Sequence, residues 1–187
     1  MPPDPTHHAV SVREAAPPDA AAIARVQEVV WRQSYAQLLG DAASSAFDTV
    51  GAQQSWGNAI TNPPGRTHRI LVATDGDTVV GFAAYAPGAD PDLDSGTDAE
   101  LLVFHVDPAH TRVGHGSRLM AAAVDHARAD GFTRLITWVF AADDPLRAFL
   151  RSTGWEADGS TRDLDVGELV HQVRLHTVIE PPGDIIA

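Results

Sequence analysis

The chain contains no cysteine and no lysine in its 187 residues. The first absence excludes disulfides, thiolate metal sites and a cysteine nucleophile. The second makes every basic side chain an arginine and excludes a phosphate loop ending in Gly-Lys-Ser/Thr. No apolar run approaches the length of a membrane span. The opening stretch, Met1 to His8, is rich in proline and histidine and lacks the charged-then-apolar order of a signal peptide. These absences lead to the expectation of a cytoplasmic protein without a membrane partner. Basic charge is scarce as well: the net charge is −12, and an acidic surface repels phosphate backbones, so no nucleic-acid partner is expected.

What is present suits one globular unit. The chain is 44% hydrophobic and 20% charged, enough apolar material for a sizeable core in a single domain. That domain is expected over residues 9–180, between disordered tails at 1–8 and 181–187. Charge is spread unevenly. From Pro108 to Trp155 six arginines face four acids, whereas elsewhere seven arginines face twenty-one acids. The one net-positive stretch is a natural seat for an anion.

Hydrophobic spacing outlines the elements. Residues 9–14 alternate as a strand, and Asp19 is placed to cap a helix carrying Ile23, Val26, Val30 and Trp31 to about Leu38. A second helical region runs from Ser45 to Ile60 and stops at Asn62-Pro63-Pro64-Gly65. Strands at 68–74 and 78–85 flank the hairpin signal Asp75-Gly76-Asp77. After an acidic loop at 87–98 come a strand at 99–106, a helix at 114–129, a strand at 132–140 and a short helix at 143–152. A short strand near Trp155 and a longer one at 169–179 close the chain. The order β-α-α-β-β-β-α-β-α-β-β predicts a single mixed α/β domain.

The junction between the fourth strand and third helix is the most informative segment. There Gly114-His115-Gly116 opens a helix, where glycines let the backbone approach a ligand. Unpaired N–H groups and the positive end of the helix dipole favour an anion such as a pyrophosphate. A dinucleotide fingerprint would need a third glycine at Leu119, and glycines closer behind the strand. His105, His110 and His115 recur every five residues, a spacing that shares no face of a strand or helix, so no metal is expected.

Residues 99–155 resemble the core of the GNAT N-acetyltransferases, whose signature at this junction is Gln/Arg-x-x-Gly-x-Gly/Ala. Here it reads Thr111-Arg112-Val113-Gly114-His115-Gly116, preceded by Val106-Asp107-Pro108 and followed by Ser117-Arg118-Leu119-Met120. Flanking pieces agree: VREAAPPDAAAIARV at 12–26, ITWVF at 136–140 and FLRSTGW at 149–155. The resemblance implies a splayed central strand pair and acetyl-CoA as acetyl donor, with coenzyme A as product and no metal. It also implies transfer to a primary amine of a small molecule or peptide by direct attack in a ternary complex.

Site residues follow from the same resemblance. The cofactor would lie against Thr111, Arg112, Val113, Gly114, His115, Gly116 and Ser117, with Arg112 reaching the phosphates and His115 at their rim. The backbone of Phe104, His105 and Val106 would hold the pantetheine and acetyl carbonyl. Asp143 stands where the family usually has an asparagine. Glu100, fourteen residues before Gly114, matches a strand glutamate that serves as general base, or is a solvated strand-end carboxylate. Trp31 and Tyr35, one turn apart, either wall the cleft of a cationic amine acceptor or pack the core. Leu150 occupies the place of a tyrosine that protonates the departing thiolate in many members. The general acid is therefore unassigned, with Tyr35, Tyr85, Ser152 and water as candidates. A non-catalytic acetyl-CoA sensor on the same fold is the competing reading, and the long final strand offers an edge for a homodimer.

Overall fold

A computed structural model describes residues 10–36, 38, 40, 47–165 and 169–179. The expected tails at 1–8 and 181–187, and the expected helix start at Ser45, lie outside these residues. Among the described residues the elements are β1 (Val10–Glu14), α1 (Ala20–Gln33), α2 (Thr49–Thr61), β2 (Arg69–Asp75), β3 (Thr78–Pro87), β4 (Asp98–Val106), α3 (His115–Ala129), β5 (Arg134–Phe140), α4 (Asp144–Ser152), β6 (Glu156–Asp165) and β7 (Leu169–Val178). They build one mixed seven-stranded sheet in the order β1-β2-β3-β4-β5-β7-β6. No described helix is long and apolar enough to cross a membrane.

Helices cover both faces. On one, Leu119, Met120, Ala123 and Ala127 of α3 pack with Leu150 of α4, Trp155, Leu71, Leu101 and Leu135. On the other, Ile23, Val26 and Val30 of α1 pack on Val72, Phe82 and Phe140. Burial on both faces explains why β3 is buried from Val79 to Ala86 and reads as a continuous apolar run.

Three local outcomes depart from the sequence expectations. Asp19 does not cap α1 with its side chain; it accepts from Ala16 N (2.7 Å) and pairs with Arg13 (2.6 and 2.9 Å). The reason is the Pro17–Asp19 turn, which faces its carboxylate back toward β1. β6 is a ten-residue strand, not a short one. Nearly all of it is exposed, so no apolar alternation announced it, and backbone pairing to β7 holds it instead. Finally, β7 lies between β5 and β6. Both its edges are occupied, so the edge expected to meet a second subunit belongs to β6.

The feature that positions a site is the central pair. β4 and β5 are parallel and pair only over Asp98–Glu100 against Arg134–Ile136. Beyond that rung β5 stays on β7 through Phe140 while β4 follows β3. The register of β4 on β3 shifts between Ala84 and Tyr85, leaving Leu102 as an extra residue. Such a bulge bends and twists its strand away from a neighbour. Thr137 Oγ1 donates to Leu101 O (2.8 Å), so a side chain satisfies the first carbonyl that β5 no longer reaches.

Candidate active site

The diverging strands open a cleft of about 340 Å³, lined by β4 from Leu101 to His105, β5 from Thr137 to Phe140, and side chains of α1, α2 and α4. Asp107 N donates to Val80 O. Alternation along β4 then points the His105 amide at β3, and turns the backbone N–H and C=O of Phe104 and Val106 into the gap. Phe104 stacks on Phe149 of α4, with ring centroids 5.5 Å apart, forming one flank. Leu102 at the bulge is 57% exposed.

At the far end of β4 the chain turns through Arg112 (φ 63°) and Gly114 (φ 93°) into α3. Two left-handed residues so close curl successive N–H groups into a concave nest. The first intrahelical bond runs from Arg118 N to Gly114 O, which leaves the N–H groups of His115, Gly116 and Ser117 without helical partners. A Cβ built on Gly114 would sit 2.7 Å from Arg118 Nη1, so that guanidinium folds back over the turn. Arg112 and Arg118 form no ion pair with a described residue, and together they give the nest the charge a diphosphate needs. Sequence reasoning named Arg112 and passed over Arg118, although its place one turn into the helix was a usable signal. Thr111 Oγ1 bonds to Pro108 O (3.0 Å) and holds the loop. His115 is not at a rim: its side chain is 1% exposed and its ring lies 6.3 Å from that of His110. Only its backbone reaches the nest. The residues fit an anionic cofactor with a thin arm, since the nest and the gap lie in line along β4.

Glu100 occupies the last rung before the gap opens, opposite Ile136, and is buried. Burial first, then nearby Asp90, push its pKa above the ordinary glutamate value. It stands beside the cleft rather than among its lining residues. His105 lines the cleft with its Nδ1 buried and unpartnered, and burial lowers its pKa to about 4. Trp31 and Tyr35 both line the cleft, with ring centroids 6.3 Å apart. Tyr35 closes its far end, edge-on to Phe140 (5.1 Å) and His105 (5.8 Å). Burial first, then the nearby Asp143 carboxylate, raises the pKa of its hydroxyl. Asp143 itself is buried, accepts from Leu146 N (3.1 Å) at the start of α4, and has a raised pKa chiefly from desolvation.

Leu150 lines the cleft as a core residue, 1% exposed. Other expected residues are brought elsewhere. Tyr85 donates to Asp130 (2.8 Å) and does not line the cleft, and Ser152 Oγ bonds to Phe149 O (2.6 Å). Nor do the three histidines converge, and no described group of three metal-type side chains does. The acidic loop is not free to attract a cation. Asp90 and Asp92 are held by Arg174, and Asp98 by Arg134.

A family model described as the acetyltransferase (GNAT) family matches residues 26–155. No curated protein matches the chain. Among solved structures, a putative acetyltransferase, yncA, from Salmonella typhimurium, with its cofactor acetyl-CoA, superposes with a TM-score of 0.68. It has 18% identity, over 92% of this chain and 95% of that one. A ribosomal-protein-alanine N-acetyltransferase from Brucella melitensis gives 0.70 at 22% identity, over 90% and 99%. The paia N-acetyltransferase from Thermoplasma acidophilum, in complex with coenzyme A, gives 0.66 at 16%, over 88% and 98%.

Proposed function

The chain belongs to the acetyltransferase (GNAT) family, and from that premise we propose that it moves the acetyl group of acetyl-CoA directly onto a primary amine of a small molecule or peptide. The observation that carries this reading is the separation of β4 from β5 immediately beyond Glu100, in line with the nest at Arg112–Ser117. Acetyl-CoA supplies an activated thioester. The amides of the nest and the guanidinium groups of Arg112 and Arg118 would hold its diphosphate, and the gap-facing backbone of Phe104 and Val106 would hold its arm. Together they orient the thioester, and the gap-facing N–H groups of β4 donate to its carbonyl oxygen as negative charge develops there.

Glu100, acting through a water because it stands beside the cleft, takes the proton that an alkylammonium must lose before its nitrogen attacks the acetyl carbon. The proton shed by that nitrogen once the C–N bond has formed passes to solvent. As the carbon–sulfur bond breaks, the Tyr35 hydroxyl gives its proton to the thiolate and takes a replacement proton from solvent. Tyr35 takes this role because it lines the cleft, whereas Tyr85, bound to Asp130, and Ser152, bound to Phe149 O, do not. Replacing Tyr35 with Phe is expected to lower kcat about 10-fold or more. The loss should shrink when the donor is the selenoester of coenzyme A, whose leaving group is less basic. An equal loss with both donors would mean that Tyr35 only packs the cleft.

Calorimetry with coenzyme A and assay of free thiol release with a panel of primary amines test the function itself. Binding is expected together with amine-dependent release. Gly114→Ala, strained at φ 93°, should weaken binding about 10-fold. Binding without release for every amine supports the sensor reading instead.

A further inference from the structure

Most arginines of this chain are neutralised by carboxylates. Arg66, Arg112, Arg118, Arg151 and Arg162 are the ones that form no ion pair with any described residue. Arg112 and Arg118 stand at the α3 turn. Arg162 stands at the opposite, acceptor side of the gap and is not absorbed by anything above.

Its surroundings hold it in place. The Arg162 Cζ lies over the Trp138 ring, 4.3 Å from its centroid, a cation–π contact that restrains the guanidinium. Its Nε donates to Gln172 Oε1 (2.7 Å). Trp138 and Gln172 both line the cleft, as does Leu164, two residues along β6 and on the same strand face as Arg162. With Nε engaged, the two terminal nitrogens have no hydrogen-bond partner among the described residues. Neighbouring Arg174 is the opposite case. It lies 5.5 Å from the same indole and is consumed by Asp90, Asp92 and Asp158. Strand register also places Glu100 on this face of the sheet, since it pairs with Ile136, two residues before Trp138.

A plain ammonium entering between Glu100 and an unpaired guanidinium meets a like charge. An ammonium that brings its own anion does not. We propose that Arg162 receives a carboxylate carried by the acceptor, which makes the substrates of this site amino carboxylates. The amine points toward the gap, and the carboxylate takes the free end of the planar fork in a two-point, charge-assisted pair. The assignment rests on the acetyl-transfer reading and names the acceptor class within it.

The test uses the full chain and a series of ω-amino carboxylates from glycine to 6-aminohexanoate, each beside its matching amide. Thiol release is measured with acetyl-CoA, and binding is measured by calorimetry on protein loaded with coenzyme A. In the unmodified protein kcat/KM for the best carboxylate is expected to exceed that for its amide at least about 10-fold. Arg162→Gln brings the pair within about two-fold, chiefly through KM, and Arg162→Lys restores part of the difference. Thermal melts show that the variants are folded. Amides used as well as carboxylates, or a preference that survives Arg162→Gln, overturns the proposal. Carboxylate-selective binding that depends on Arg162 without thiol release sinks the acetyl-transfer reading and leaves the carboxylate site standing. Release without selectivity does the reverse.

Discussion

Glu100→Gln is expected to lower kcat at least about 100-fold while the Kd for coenzyme A changes less than about two-fold. Glutamine keeps the volume of the side chain and removes only its ability to take a proton. Glu100 sits on the last β4–β5 rung, where the strands part, so loss of its charge leaves the nest at Arg112–Ser117 intact. The pH dependence has a definite sign. Burial and Asp90 raise the Glu100 pKa above the ordinary value of 4.5, so its base form disappears as pH falls through that raised value. The acid limb of kcat/KM in the unmodified enzyme should lie above pH 4.5 and should vanish in the variant. A second measurement separates proton removal from mere structural support. Methoxyamine is already neutral at pH 7 and has little need of a base before attack, so the loss with it should be far smaller than with an alkylamine. An equal loss with both acceptors, or an unchanged kcat with either, removes Glu100 from the mechanism.

Removal of the Arg174 guanidinium is the largest expected effect on stability. Arg174 is 5% exposed and binds Asp90, Asp92 and Asp158 together, tying the loop before β4 to β6 and β7. Arg174→Leu leaves three carboxylates facing one another with the Trp138 indole as Asp90's remaining donor. Breaking a buried ion-pair group from one side costs about 3–5 kcal/mol, and the open position of Asp92 places this one at the low end. For a chain of this size that corresponds to a fall in Tm of about 6–12 °C. Hydrogen exchange in residues 88–97 should accelerate as the loop is released. The hydrogen bond from Arg174 lowers the Asp92 pKa to about 2. A depressed carboxylate contributes stability above its unfolded value of 3.8, and that contribution fades as pH falls toward 2. The difference between the two proteins should therefore narrow in acid. A Tm within 2 °C of the unmodified protein would show that solvent already screens the network.

Much of the fold was legible because its signals are local. The spacing of Leu119, Met120, Ala123 and Ala127 marks α3, and Asp75-Gly76-Asp77 marks the β2–β3 turn, where Gly76 takes φ 58°. Gly114 could be read as well, since a left-handed residue opening a helix is a demand of the backbone itself. β6 was not legible over its length. An exposed edge strand carries no apolar alternation, and it is held by backbone pairing to β7.

The candidate site divides along the same line. The chain's order of residues by itself determined the α/β class and the glycine turn that opens α3, because both rest on local spacing and turn residues. Glu100 was marked only by the resemblance to the acetyltransferases. Only tertiary structure decided that Leu102 bulges, that Tyr35 lines the cleft against Phe140 and His105, and that Arg174 is neutralised while Arg162 is left open. Those outcomes depend on which strands lie side by side. Pairing between segments far apart in the chain is set by packing of the whole sheet, which no single stretch of sequence encodes.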